Sequence, residues 1–255
     1  MLRLGSVPYA NARPLREGLD RREGASLLLE RPSALARRLA QGELDAALIP
    51  SVEALRDPRL VVVPEGCIAS RGAVASVSLF SRAPLRPGMR VLLDSSSRTS
   101  AALVRLLLEG PLGAPGASFA ECPPEIDPRT ADADAVLLIG DRALALDRAG
   151  LREADLGESW TAWTGLPFVW AVWAARDAAA AEAARPLLRE ARDLGSRRIP
   201  EIAAEEARRL GMDPAAIERY LTRNIRHGFG AEERAGLERF RSECVRAGLV
   251  PPPRV

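Results

Sequence analysis

Through the first two thirds of the chain, short apolar runs alternate with stretches of helical period. Leu2–Ser6, Ser26–Glu30, Ala46–Ile49, Leu60–Val63, Ser76–Ser81, Arg90–Leu93 and Val136–Ile139 have the length and composition of strands. Between them lie helical patterns such as Ser33–Gln41, apolar at Leu35 and Leu39 and stopped by Gly42. This alternation predicts an α/β fold with mainly parallel sheets. The last third differs. From Asp177 to Ala247 it is rich in Ala, Arg and Glu and reads as four helices, broken near Gly195–Pro200, at 211–214 ("GMDP") and at 227–230 ("HGFG").

Two longer strands stand apart from the short ones. In "GAVASVSLFSR" (72–82), Ser76 and Ser78 share one face, and Val77 and Leu79 the other. "LPFVWAVWAAR" (166–176) is apolar almost throughout. Such a pair suits a chain that crosses from one lobe to another and returns. The expected division is residues 1–82 with 171–255 in one lobe and 83–170 in the other. An internal echo fits two lobes, because "DAALIPS" (45–51) and "DAVLLIGD" (134–141) share one form in different halves. Each opens on Asp, buries a short strand, turns through Pro or Gly and ends on a polar residue able to head a helix. In α/β folds of this kind ligands bind beyond the carboxyl ends of the strands, at helix N-termini.

Composition narrows the chemistry. The 255 residues are 47% hydrophobic and carry a formal net charge of +2, so a sizeable core can form and no surface built for nucleic acid is indicated. All the basic residues are arginines, which removes Schiff-base and P-loop lysines from consideration. Cys67, Cys122 and Cys244 have neither disulfide nor metal spacing, and a single histidine, His227, rules out a histidine-rich metal site. The start of the chain lacks the apolar core of a signal peptide, and no run reaches membrane-spanning length. A cytoplasmic protein is expected, with no metal and no membrane or nucleic-acid partner, as a monomer or homodimer.

The polar groups gather at strand ends. "LGSVPYANARPL" (4–15) places Ser6, Tyr9 and Asn11 after the first strand; Asn11 either caps a helix or holds a ligand hydroxyl or carboxylate. "LLDSSSRTSAALVRLLLEG" (92–110) crowds Ser95, Ser96, Ser97, Thr99 and Ser100 onto a helix start, more hydroxyls than one cap requires, which points to a carboxylate or phosphate site. "IGDRAL" (139–144) sets Asp141 at another helix start. Arg98 and Arg142 read as solvated charges. All four tryptophans fall in 155–176, where Trp160 and Trp163 have helical spacing and read as core anchors. His227, far in sequence from these strand ends, reads as structural.

Six stretches taken together, "SVPYANARPL", "LAQGELDAALIPSVEAL", "GAVASVSLFSR", "DSSSRTSAALVRLLL", "VLLIGDRAL" and "DLGESWTAWTGLPFVWAVWAAR", resemble the chorismate dehydratase family of the futalosine route to menaquinone, over nearly the whole chain. The resemblance implies a two-lobed periplasmic-binding-protein-like fold of type II, with C-terminal helices on the first lobe. It implies loss of water from chorismate to give 3-[(1-carboxyvinyl)oxy]benzoate, without a cofactor. Carried over by motif, Asn11 and Ser76 would lie at the reacting carbons. Ser97, Thr99 and Ser100 would hold a carboxylate, and Ser51, Ser78, Gly140 and Asp141 would complete the substrate site. Two alternatives share the fold: a 1,4-dihydroxy-6-naphthoate synthase of the same pathway, and a cytosolic protein that binds small anions.

Overall fold

A computed structural model describes residues 1–123 and 125–252. β1 (Leu2–Ser6) runs into a 3-10 segment, Ala10–Arg16, that carries Pro14, then β2 (Ala25–Leu29). α1 (Pro32–Ala40) opens on Pro32, whose missing N–H costs nothing in a first turn, and buries Leu35 and Leu39. β3 (Ala46–Pro50), buried throughout, leads directly into α2 (Ser51–Arg56), and β4 (Val61–Ser70) follows. Across residues 71–76 the chain passes to β5 (Val77–Ser81), β6 (Arg90–Asp94), α3 (Arg98–Glu109), β7 (Ser118–Cys122), β8 (Ala135–Ile139), α4 (Gly140–Ala145), β9 (Arg152–Asp155) and α5 (Leu156–Thr164). It returns through 165–167 to β10 (Phe168–Ala175). α6 (Ala178–Arg197), α7 (Ile199–Leu210), α8 (Pro214–Arg219) and α9 (Ala231–Arg246) complete the chain, with a π-helical turn, Tyr220–Asn224, continuing α8.

The strands form two five-stranded sheets, in the orders β2-β1-β3-β10-β4 and β7-β6-β8-β5-β9. Their plans match. In each sheet three strands pair in parallel, and one antiparallel strand, β10 or β5, separates them from the last. β3 and β8, the strands of the internal echo, hold the same place in their sheets. The antiparallel strands are the two long apolar segments, so the sequence-based lobe boundaries shift: Val77–Ser81 belongs to the second sheet and Phe168–Trp170 to the first. Strand pairing is the reason, since β5 is hydrogen-bonded between β8 and β9 and β10 between β3 and β4.

One core runs beneath both sheets, and a smaller cluster around Phe80, Val136 and Leu138 covers the far face of the second. α6 and α9 pack on the first sheet. Trp160 stacks edge-on against Trp163, Phe168 and Phe240, which anchors the returning strand to α5 and α9. These are the core anchors that the spacing of Trp160 and Trp163 predicts. Among the described residues no helix is long and apolar enough to cross a membrane.

Candidate functional site

A narrow cleft, partly open to solvent, lies where the ends of β1, β3 and β8 meet the two chain crossings. The first lobe contributes Val7, Tyr9, Asn11, Pro32, Ile49, Pro50 and Trp170, the second Ser97, Thr99, Ser100, Ile139 and Gly140. A larger groove between α6 and Gly18 lies away from the strand ends, and another lies at the end of β6 beside Ser95, Ser97 and Arg98. Among the described residues no charged side chain lines the cleft, although the chain has 36 basic side chains. An anion entering it would meet helix N–H groups and hydroxyls rather than guanidinium.

Asn11 sits in the 3-10 segment and is 8% exposed. Its backbone carbonyl accepts a hydrogen bond of 2.8 Å from His227 Nε2, and its Oδ1 is buried with no donor from the protein. Here the structure corrects the sequence reading: His227 is not remote from the strand ends. The turn before α9 returns to the first sheet, where Arg226 bridges to Ala69, and this brings the imidazole under Asn11. Burial lowers the His227 pKa, so the neutral ring serves as a tether.

Ser76 lies on the crossing segment and is fully buried. Its carbonyl accepts from Gly140 N at 2.7 Å, and its Oγ accepts from the Tyr220 hydroxyl at 2.8 Å. The preceding residue, Ala75, has φ +64°, a left-handed conformation unfavourable to a residue with a Cβ. Asp155 holds the segment in place. Its carboxylate accepts from Val74 N and Ala75 N while also capping α5 through Gly157 N and Glu158 N. The sequence places Ser76 and Ser78 on one strand face, but β5 starts at Val77 and the turn at Ala75 ends the alternation. Ser78 shares the face of Phe80, away from the cleft, and donates to Glu153 at 2.8 Å.

At the start of α3, Ser97 is the N-cap residue but makes no side-chain cap, and Ser97 and Ser100 both line the cleft. Ser96 is turned elsewhere: its N–H and hydroxyl both donate to Asp94, whose pKa burial raises. Thr99 reaches across the cleft. Its Oγ1 accepts from Val52 N at 3.2 Å and lies 3.5 Å from Ser51 Oγ, which in turn donates to Val169 O at 2.7 Å. Thr99 thus binds the other lobe, next to Ser51.

Asp141 does the same from α4. One oxygen accepts from Ala10 N at 2.9 Å, and the other pairs with Arg209 of α7. Gly140 beside it has φ +64°, and a Cβ there would come within 3.3 Å of the Tyr9 ring. The Tyr9 phenol is raised in pKa by burial, its ring lying against Gly140 of the second lobe. Arg98 is no free surface charge either, since it pairs with Glu53 of α2 at 3.1 Å.

The structure therefore brings Asn11, Ser97, Thr99, Ser100 and Gly140 to one cleft, sets Ser51, Ser76 and Asp141 outside its lining, and turns Ser78 away. Tyr9 is named in the sequence reading as a polar group after the first strand but given no role, and Trp170 and Tyr220 are not singled out there. Trp170 is embedded in an apolar strand. Tyr220 comes from the helical last third, where no strand end marks it. The thiols are not candidates for nucleophiles: all three are buried, and burial pushes Cys122 up to about 11 and Cys244 up to about 12.

Comparison with known proteins places this architecture. A protein of Archaeoglobus fulgidus superposes with a TM-score of 0.80 at 17% identity, covering 98% of each chain. The periplasmic aliphatic sulphonate binding protein of Escherichia coli superposes at 0.66 with 20% identity, over 98% of this chain and 88% of that one. At such identities these likenesses establish the periplasmic-binding-protein-like fold alone. In sequence, a chorismate dehydratase of Thermus thermophilus is 38% identical over 256 residues, 93% of each chain. The profile of the menaquinone biosynthesis family matches residues 2–246, and the chain belongs to that family.

Proposed function

We propose that this chain is a chorismate dehydratase that converts chorismate to 3-[(1-carboxyvinyl)oxy]benzoate and water, a carbon–oxygen lyase acting within menaquinone biosynthesis. The observation that carries the reading is the 38% identity over 93% of the chain to the dehydratase of Thermus thermophilus. The cleft agrees with it. Its lining is neutral and polar on one side and apolar on the other, which suits a cyclic dicarboxylate with one unsaturated ring.

The reaction is redox-neutral. The electrons of the ring C–H bond at the ether-bearing carbon become a new C=C bond. The neighbouring C–O bond breaks with its pair on oxygen, and the ring becomes aromatic. The site's demands are to fix the substrate's pose, to take one proton and to receive a leaving hydroxyl. Among the described residues the cleft lining holds no carboxylate or imidazole, and both oxygens of Asp141 are engaged by Ala10 N and Arg209. The substrate's own enolpyruvyl carboxylate therefore takes the ring proton. Ser97, Ser100 and the first N–H groups of α3 hold a carboxylate, and Asn11 meets the ring near the reacting carbons. Positioning of this sort contributes up to about 7–11 kcal/mol in the best intramolecular cases.

The test is incubation of the purified protein with chorismate in the presence of a chelator. Loss of the diene absorbance together with appearance of the enolpyruvyl benzoate is the expected result. Binding without turnover would recast the protein as a chorismate-binding protein. No binding would move the assignment to the naphthoate synthase.

A further inference from the structure

The Asn11 carbonyl lacks its local donor. Asn11 lies in the 3-10 segment Ala10–Arg16, where a carbonyl accepts from the N–H three residues on. For Asn11 that residue is Pro14, which has no N–H. His227 supplies the hydrogen bond instead, at 2.8 Å, from 216 positions away. A carbonyl can only accept, so Nε2 carries the proton. The imidazole is itself fixed in place, because residues 224–228 run along β4 and the crossing that follows it. Cys67 N donates to His227 O at 3.1 Å, Ala69 and Arg226 exchange backbone hydrogen bonds of 2.9 and 2.7 Å, and Asn224 Nδ2 donates to Ala73 O at 2.8 Å. Gly66 permits this approach, since a Cβ there would come within 3.1 Å of His227 O. On the other side of Asn11, Ala10 N donates to Asp141 at 2.9 Å. The backbone is thus pinned at two consecutive residues. Between them the Asn11 side chain lines the cleft, its Oδ1 buried and, among the described residues, without a hydrogen-bond partner.

We propose that His227 is a positioning residue: it supplies the hydrogen bond that Pro14 withholds, and so holds the Asn11 amide at the reacting carbons of the ring. The inference rests on the dehydratase reading, in which Asn11 meets that ring. The imidazole lies outside the cleft lining and moves no proton; it acts through the Asn11 backbone. Among the described residues the helical last third adds nothing to the lining, and this one hydrogen bond makes it part of the reacting geometry. A misplacement of about 1 Å can cost about a hundredfold in rate, so a single tether is enough to matter.

The experiment measures chorismate turnover for wild type, His227→Leu, His227→Gln, Asn11→Ala, and His227→Leu combined with Asn11→Ala or with Pro14→Ala, the fold of each checked by thermal unfolding. His227→Leu removes the donor and is expected to lower kcat about tenfold while KM stays within about threefold. His227→Gln carries an amide N–H at the reach of Nε2 and should keep kcat within about threefold of wild type. Pro14→Ala puts an N–H where the 3-10 pattern needs one, and should recover at least about threefold of what His227→Leu loses. A residue that merely fills space would show no such rescue. In the Asn11→Ala background His227→Leu should add less than about twofold. Should His227→Leu not fold, His227→Asn replaces it throughout, since its shorter amide stops short of Asn11 O and should lose as much. A wild type that converts chorismate while the donorless variant matches it overturns the proposal alone. So does a His227→Gln as impaired as that variant, a folded Pro14→Ala combination without rescue, or a full additive loss on Asn11→Ala. A wild type that does not convert chorismate overturns the dehydratase reading and this proposal with it.

Discussion

The ends of β3 and β8 occupy the same place in matching sheets, yet they are fastened across the cleft by different chemistry. At the end of β3 the contact is neutral: Thr99 Oγ1 accepts from Val52 N. Pro50, the N-cap residue of α2, has no side-chain oxygen to cap with, and the opposite lobe supplies one. At the end of β8 the contact is ionic, with Asp141 between Ala10 N and Arg209. The Arg209 side chain is 45% exposed, so this pair is screened by salt where the hydroxyl contact is not. One topological position can therefore carry a salt-sensitive clasp or an insensitive one, and this molecule has both.

The largest effect is expected from Asp141→Ala, which removes the acceptor for Ala10 N together with the partner of Arg209. Chorismate kcat/KM should fall about tenfold, because a contact that fastens the two lobes beside the cleft is lost. Asp141→Asn keeps an oxygen for Ala10 N and should cost about threefold, a difference that added salt narrows. Complete loss of turnover in a folded Asp141→Asn would instead make Asp141 the base and remove the substrate-assisted route. Next is Thr99→Val, similar in shape but without the hydroxyl. It should destabilise by about 1 kcal/mol through the uncapped Val52 N, measured by denaturant unfolding, with no change between low and high salt.

The smallest effect belongs to Asp94, a buried carboxylate bonded only to Ser96. Its pKa is raised by burial. A raised folded-state value means that its favourable contribution is complete below the unfolded value and lost as pH rises through the folded one. Asp94→Asn should therefore raise Tm by about 1–3 °C at pH 7. The gain should vanish below the ordinary aspartate range of about 3.9.

Much of this was legible from the chain alone, for local reasons. Asn11, Ser97, Thr99, Ser100 and Gly140 each sit within a few residues of a strand end, and the strand direction carries them to the cleft. Alternation misplaced Ser78, because a left-handed residue at Ala75 lies just outside the strand. β7 and β9 were missed. "SFAEC" and "READ" are short, partly charged edge strands, held by pairing with β6 and β5 rather than by an apolar pattern. β4 runs seven residues past Val63, through Pro64 and Gly66, where β10 pairs with it through register shifts. Tyr220 was hidden for a stronger reason: it lies 144 positions from Ser76, and only the folded chain joins them.

Of the four tryptophans, Trp170 is the one that lines the cleft, its indole N–H donating to Ser70 Oγ at 3.1 Å. Trp160 and Trp173 are fully buried. The molecule thus carries its own optical gauge. A conjugated ring entering the cleft quenches or shifts the emission of one indole against a constant background from the others, so occupancy can be followed in stopped flow on unlabelled protein.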